Sequence, residues 1–302
     1  MSLRKNYLES SSCDVFSDAR SRETRATRST KCAGKVRRES TVGGGGGGTN
    51  TSAHRERANG TSAMANEKDS QKLIENVYAR MASREGAGME RGAIELAKDA
   101  RELFVDVTKA GGFVDQMHRG MLAREVYVQY LKQDWYFLFH FNRAYAMAMV
   151  KAKDVEEQRA FFELMASVGD ELREHKARCA LLGVSMDEKM NMTSAPVKAT
   201  ENYVRFLESL HSSSLRELLA GMAPCMRLYA TLGKWYASEG LEHAGIYRDW
   251  FEAYASNEFA ALAFRLESLM LNSGDEEQLT ATIRANYLRA MELERDFFAA
   301  WA

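Results

Sequence analysis

The stretch that decides the fold of this chain is AREVYVQYLKQDWYFLFHFNRAYAMAMVKA, residues 123–152. Its large side chains recur every three or four residues, the spacing that places them on one face of a helix. The inward face consists of Val126, Tyr130, Asp134, Phe137, Phe141 and Tyr145. A helix of this length can bury such a stripe only against other helices, so the segment predicts a helical bundle.

Helical periodicity continues over the chain from residue 68 onward, which contains both of the prolines among the 302 residues. No segment alternates with period two, so we expect an all-α domain without strands. The predicted helices span residues 72–109, with a break near 86–88, and then 123–152, 154–182, 200–211, 214–238, 244–254, 256–271 and 276–301. Ser214 and Glu217 form a capping-box pattern, S-x-x-E, that predicts the start of one helix.

Residues 1–68 have a different composition, rich in Ser, Thr, Arg and Gly, with a run of six glycines at 43–48. Such a segment buries too little apolar surface to offset its ordering entropy, so we predict a disordered tail before a single domain over residues 69–302. The Arg and Ser bias is typical of organelle transit peptides, whereas Glu9, Asp14 and Asp18 are not. Met64 is an alternative start.

Charge and cysteine usage exclude several classes of protein. The formal net charge is −1, and a surplus of basic residues in the tail leaves the rest of the chain acidic, so we expect neither nucleic acid nor anionic lipid as a partner. Four cysteines without metal-ligand spacing indicate a reducing, cytoplasmic compartment. No apolar run approaches the roughly 18 residues of a membrane span.

Asp134 is the only charged residue on the aromatic stripe of the 123–152 helix. One interpretation is a partly exposed aspartate paired with a neighbouring Arg or Lys. The other is a carboxylate that accepts hydrogen bonds from a flat, nitrogen-rich ligand held between aromatic rings. The helix alone does not decide between them.

Cys225 lies on the inward face of the 214–238 helix, and its i, i+4 neighbour Tyr229 shares that face. Pro224 removes one backbone hydrogen bond, so we expect a kink next to the thiol. A cysteine on such a face is commonly an inert small hydrophobe, but local irregularity of the helix favours a functional site.

Glu294 is the only charge on the last inward stripe, which consists of Ile283, Tyr287, Met291, Glu294, Phe298 and Trp301. Burial there would raise its pKa and suit it to general acid–base catalysis near neutral pH. The alternative is an ion pair with Arg284 or Arg289.

Glu171 and His175 have the i, i+4 spacing of possible metal ligands. A dinuclear carboxylate centre would require two E-x-x-H motifs, and the sequence has none, so we predict a solvated or structural pair and no metal. Nucleotide-binding, serine-hydrolase and zinc-protease motifs are also absent from the sequence.

Several segments together resemble one family. They are GML at residues 120–122 with YLKQDWYFL at 130–138, LAGMAPCMRLY at 219–229, YRDWFEAY at 247–254, and Glu294 ahead of two phenylalanines at 297–298. In order and spacing, over residues 98–302, they are similar to the TenA (thiaminase II) family. The cysteine indicates its cysteine-bearing branch.

This resemblance implies a haem-oxygenase-like helical bundle without haem, often a homotetramer, that acts in thiamin salvage. Members of the family hydrolyse 4-amino-5-aminomethyl-2-methylpyrimidine, and more slowly thiamin, to the hydroxymethyl pyrimidine. The resemblance implies neither a metal nor an organic cofactor.

The resemblance also implies a role for each site residue. Asp134 would hold the ring nitrogen and exocyclic amine of the pyrimidine, and Cys225 would be the nucleophile. Tyr229 and Tyr203 would contact or stack on the ring. Glu294, oriented by Tyr254, would protonate the leaving group and then activate water.

One position departs from the family pattern, because Phe137 replaces a tyrosine that would place a hydroxyl near the pyrimidine. The adjacent Tyr136 points about 100° away around the helix, so it does not supply this hydroxyl. We expect the departure to affect substrate preference and not the type of reaction. Two alternatives stay open: a non-catalytic pyrimidine-binding or regulatory protein, and an enzyme similar to the pyrroloquinoline quinone synthesis oxidases. The second would require several His and Arg around a large acidic ligand.

Overall fold

The structure is a computed structural model that describes residues 91–186, 195–273 and 279–302. The predicted tail, its boundary with the domain and the first part of the 72–109 helix therefore lie outside the described residues. None of the described helices combines the length and apolar character that crossing a membrane requires.

The described residues form ten α-helices and two short 3₁₀ turns, and they contain no β-strand. The helices are α1 (Arg91–Asp99), α2 (Arg101–Val107), α3 (Phe113–His118), α4 (Arg124–Lys151), α5 (Val155–Leu181), α6 (Lys198–Ser209), α7 (Leu215–Glu239), α8 (Arg248–Ala255), α9 (Asn257–Asn272) and α10 (Ala281–Ala299). The 3₁₀ turns are Leu210–Ser212 and Gly245–Tyr247. The predicted all-α fold is confirmed for this part of the chain.

Helix α7 lies at the centre of the bundle and packs against α4, α8, α9 and α10. Every residue from 218 to 233 is buried, because apart from Arg227 this stretch has mostly apolar or small side chains on all sides. It continues through Pro224 from Leu215 to Glu239. A side chain at Gly233 would collide with the backbone of Tyr254, so this glycine lets α8 approach α7 closely.

Polar contacts fix the start and the packing of α7. Ser214 and Glu217 form the predicted capping box, with each side chain bonded to the other residue's backbone N–H. Arg227 and Glu267 form a buried ion pair that joins α7 to α9, with Nε and Oε1 2.7 Å apart. These contacts hold the helix that carries Cys225 in one position relative to its neighbours.

The structure differs from the predicted elements at two short helices and at the start of the last helix. Helix α3 was not predicted, because six residues are too few to show a period. The predicted 244–254 helix is a 3₁₀ turn followed by α8. The predicted 276–301 helix begins at Ala281, where the Thr280 side chain accepts a hydrogen bond from the backbone N–H of Ile283.

Candidate active site

Side chains from six helices meet around α7. Each has an ionisable or hydrogen-bonding group, and all except the half-buried Glu171 are buried: Tyr130 and Asp134 on α4, Glu171 and His175 on α5, Tyr203 on α6, Cys225 and Tyr229 on α7, Tyr254 on α8, and Glu294 on α10. The contacts divide them into two groups. We call Cys225, Glu294 and Tyr203 the thiol half, and Asp134, His175, Glu171 and Tyr254 the carboxylate half.

The thiol half is built around Glu294, of which 1% is exposed. The Tyr203 hydroxyl donates a hydrogen bond to Glu294 Oε1 over 2.8 Å, and the Cys225 thiol is hydrogen-bonded to the same carboxyl group. The ion pair between Glu294 and an arginine that the sequence left open is not formed: Arg284 pairs with Glu95 and Asp99.

Burial raises the pKa of Glu294 to about 8, and the negative charge of Asp134 acts in the same direction. The hydrogen bonds from Tyr203 and Cys225 offset only part of this effect. Glu294 can therefore gain or lose a proton near neutral pH. Burial, followed by the charge of Glu294, raises the pKa of the Cys225 thiol well above its usual value, so the resting sulfur is protonated.

The carboxylate half is built around Asp134, of which 3% is exposed. Its Oδ2 lies 2.7 Å from Nε2 of the fully buried His175, and the Tyr130 hydroxyl donates to the same oxygen over 3.4 Å. The interpretation of Asp134 as a partly exposed aspartate paired with Arg or Lys is therefore wrong. Its partner comes from a different helix, α5, whose packing against α4 the sequence pattern did not show.

His175 is buried and Glu171 is half-buried, so the pair is structural, which is one of the two possibilities that the sequence left open. Nδ1 of His175 donates to the Glu171 backbone carbonyl over 2.9 Å. Burial lowers the pKa of His175, but the hydrogen bond and the charge of Asp134 outweigh it, and the pKa is raised. Burial raises the pKa of Glu171, whose carboxylate accepts a hydrogen bond from the Tyr254 hydroxyl.

This last contact corrects the predicted role of Tyr254. Its hydroxyl is bonded to Glu171, whereas the hydroxyl that holds Glu294 belongs to Tyr203. The reason is positional, since Tyr254 lies on α8 and meets α5, while Tyr203 on α6 packs against α10. The expectation that Tyr254 orients Glu294 is therefore wrong.

Aromatic rings surround both halves. The Tyr229 ring lies 4.9 Å from that of Tyr254 and 5.4 Å from that of Phe298. The Phe137 ring lies 4.5 Å from that of Tyr203. Such a set of faces and edges can hold a flat heterocycle.

The hydroxyl that Phe137 lacks is not replaced by its neighbour. Tyr136 packs on His140 with ring centroids 4.8 Å apart, and both lie on the side of α4 away from the site. The predicted orientation of Tyr136 is thus confirmed.

Cys225 is buried, with 8% of its surface accessible. A cavity of about 310 Å³ lies beside the site, and its lining includes Glu171, Tyr254 and Met226, the residue after Cys225. Part of the carboxylate half therefore borders open volume, whereas Cys225, Glu294 and Asp134 are not among the residues that line this cavity.

Asp134, Glu171 and His175 are also a possible metal-ligand group, since one ligand atom of each lies within 4.8 Å of the others. Both ring nitrogens of His175 are hydrogen-bonded, and the 2.7 Å contact with Asp134 leaves no room for an ion between them. The observed contacts fit a hydrogen-bonded network.

The described helices form a haem-oxygenase-like bundle around the buried side chains of Cys225, Glu294 and Tyr203. The sequence model of the TENA/THI-4/PQQC family matches residues 112–302. The chain belongs to this family.

Two curated relatives illustrate the similarity. An uncharacterised protein of Haemophilus influenzae is 32% identical over 154 residues, covering 50% of this chain and 70% of that protein. A protein named aminopyrimidine aminohydrolase from Halalkalibacterium halodurans is 27% identical over 191 residues, covering 62% of this chain and 84% of that protein.

Solved structures support the fold. A protein described as a TenA family transcription regulator from a Silicibacter species superimposes with a TM-score of 0.62 and 25% identity, covering 70% of this chain and 96% of that one. A domain of unknown function with a haem-oxygenase-like fold from Shewanella denitrificans has a TM-score of 0.55 and 13% identity, with 69% and 91% covered. The second likeness shows the fold alone.

Proposed function

We propose that this chain is an aminopyrimidine aminohydrolase of thiamin salvage. Its substrate would be 4-amino-5-aminomethyl-2-methylpyrimidine, with thiamin hydrolysed more slowly. The observation that carries the proposal is the contact of the Cys225 thiol with the buried carboxyl of Glu294. The relatives named aminopyrimidine aminohydrolase support the same substrate class.

The first half of the reaction forms a covalent adduct. Ionised Glu294 takes the thiol proton of Cys225, and the sulfur adds to a ring carbon conjugated with the aminomethyl group. The ring electrons then expel the amine, which takes its proton from Glu294 and leaves as ammonia. A carboxyl whose pKa is about 8 can serve in both directions.

The second half consumes water. Water adds to the exposed methylene carbon and gives a proton to Glu294, and the ring expels the sulfur as thiolate. Cys225 then recovers its proton from Glu294, which restores the starting state. The net change is amine plus water to alcohol plus ammonia, with no oxidant or reductant.

The remaining side chains would bind the ligand. Asp134 would accept hydrogen bonds from the aminopyrimidine, and Tyr229, Tyr203 and Phe137 would contact its faces and edges. Tyr254 would act through Glu171, with which it is hydrogen-bonded. No residue role in this scheme requires a metal.

The proposal is tested by incubating purified protein with the aminomethyl pyrimidine. We expect ammonia and the hydroxymethyl pyrimidine in equal amounts, and Cys225→Ala should lower turnover by about 10³-fold or more with ligand binding retained. Cys179→Ala is the matched control, because this cysteine is also buried but lies on α5. Parent-like turnover by Cys225→Ala would refute the nucleophile assignment.

The alternative is a pyrimidine-binding or regulatory protein without catalysis. It predicts measurable affinity for the pyrimidine with no product after hours of incubation. The same assay therefore separates the two functions.

We also propose that the chain assembles as a homotetramer in the cytoplasm. Large apolar side chains of α5 are exposed in the single chain, including Phe162 at 62% and Leu181 at 83%, and subunit contacts would cover them. Sedimentation analysis of the full chain would test the assembly. Imaging of tagged forms with and without residues 1–68 would test the location and any targeting by the tail.

A further inference from the structure

The protonation of His175 follows from its two hydrogen-bond partners. The Glu171 backbone carbonyl can only accept, so Nδ1 of His175 must carry a hydrogen to make the 2.9 Å contact. Nε2 lies 2.7 Å from Asp134 Oδ2, and that contact also requires a proton between the two atoms. His175 and Asp134 therefore share one proton between Nε2 and Oδ2, in addition to the proton on Nδ1.

This proton count limits what Asp134 can offer a ligand. Both described hydrogen bonds to its carboxylate, from His175 and from Tyr130, end on Oδ2. With one proton shared at Oδ2, the other oxygen is an acceptor and cannot donate. This second oxygen can therefore bind a donor group such as the exocyclic amine of an aminopyrimidine. It cannot bind the ring nitrogens in the same way, because they are acceptors themselves.

We infer that His175 is a positioning residue that holds Asp134 as an oriented anion, so that the free carboxylate oxygen selects the amino group of the pyrimidine. This inference rests on the proposed function for the identity of the ligand. His175 does not contact the reacting atoms and acts through Asp134. The Glu171 carbonyl in turn fixes the orientation of the ring.

The geometry explains why α5 is part of the site. His175 is completely buried and is held at both nitrogens, so its ring cannot rotate without breaking a hydrogen bond. Losing an imidazolium partner leaves a buried carboxylate without a compensating charge. A neutral donor at position 175 would keep the orientation of the carboxylate and lose the charge.

The test uses the hydroxymethyl pyrimidine as an unreactive ligand, together with an analogue that lacks the amino group. His175→Gln should weaken binding of the amino ligand by about 10-fold and His175→Leu by about 100-fold, the range for hydrogen bonds to charged groups. Binding of the analogue should change by less than about 2-fold, because it has no amino group to lose. Turnover at saturating substrate should fall much less than affinity.

The matched control is His118→Gln. His118 also donates to a backbone carbonyl, that of Gly240, over 2.6 Å, but it lies on α3. We expect parent affinity for both ligands. Equal weakening of both ligands by His175→Gln would indicate a general structural defect and would overturn the inference.

A spectroscopic measurement needs no variant of His175. In protein labelled with ¹⁵N-histidine, both ring nitrogens of one residue should give signals of a doubly protonated imidazolium at neutral pH, and those signals should change in Asp134→Asn. A neutral imidazole at His175 would contradict the inference. Failure of the parent protein to bind either ligand would instead count against the proposed function.

Discussion

Each half of the site is centred on a buried carboxyl group, Glu294 or Asp134, and the two differ in how the carboxyl group is compensated. In the thiol half, Glu294 has only neutral donors, Tyr203 and Cys225, and its pKa is raised to about 8. In the carboxylate half, Asp134 contacts an imidazole whose pKa is also raised. A buried carboxyl with neutral partners can exchange protons, whereas one with a cationic partner keeps its charge.

This difference assigns separate tasks to the two halves. Proton transfer belongs to the thiol half, where Glu294 gains and loses a proton during each turnover. Ligand recognition belongs to the carboxylate half, where a fixed charge selects a donor group. Substitutions should therefore divide into those that lower kcat and those that raise KM.

Glu294→Gln should have the largest effect. The amide keeps the shape and the hydrogen bond from Tyr203 but cannot take the thiol proton, so we expect kcat to fall by about 10³-fold or more with near-parent affinity for the product. Rapid-quench kinetics and product binding measure the two quantities separately. If Glu294→Gln lost affinity and kept the parent kcat, Glu294 would belong to ligand recognition, and the proposed division of tasks between the two halves would be wrong.

The same variant should remove most of a pH effect on stability. The pKa of Glu294 is about 8 in the fold and near its ordinary value in the unfolded chain, so the folded state binds the extra proton between these values. The free energy of unfolding should then decrease as pH rises from about 5 to 8, by on the order of a few kcal/mol. Urea unfolding of Glu294→Gln should show little of this slope; an unchanged slope would place its origin elsewhere.

Asp134→Asn should act mainly on binding. We expect KM to rise by about 10- to 100-fold, with a smaller change in kcat, because the amide presents only one acceptor and loses the pairing with His175. Steady-state kinetics with the aminomethyl pyrimidine measure both constants. If kcat fell as far as in Glu294→Gln with KM unchanged, the recognition role of the carboxylate half would be wrong.

The long helices could be predicted from the sequence to within a few residues. Helix α4 was expected at 123–152 and spans Arg124–Lys151, and α5 was expected at 154–182 and spans Val155–Leu181. Their length gives many turns of a consistent period, and Asp154 and Ser214 cap the helices that follow them. Helix α3 has too few residues to show a period.

The site was predictable only in part, for a related reason. Asp134 and Glu294 stood out because each is the only charge on an apolar stripe. Glu171 and His175 were noticed only for their i, i+4 spacing, because they lie among Asp170, Arg173, Glu174 and Lys176, a pattern typical of a solvated face. Only the packing of α5 against α4 shows that His175 is buried while these four neighbours are exposed.

The two tyrosines provide the smallest and most specific test of the division. Tyr203 donates to Glu294 and Tyr254 to Glu171, so each hydroxyl belongs to one half. The hydrogen bond from Tyr203 lowers the pKa of Glu294, and its loss in Tyr203→Phe should raise that pKa further. Since kcat/KM requires ionised Glu294, it should decrease as pH falls below about 8 in the parent protein, and in Tyr203→Phe this limb should move to higher pH.

Tyr254→Phe is the matched control, because it removes a hydroxyl of the same type from a ring that is also packed against Tyr229. In Tyr254→Phe, the fall of kcat/KM at low pH should occur at the same pH as in the parent protein. The altered environment of Glu171 should change KM by at most a few-fold. The measurement is the pH profile of kcat/KM for all three proteins under one set of conditions. A shift in Tyr254→Phe but not in Tyr203→Phe would restore the role that the sequence assigned to Tyr254.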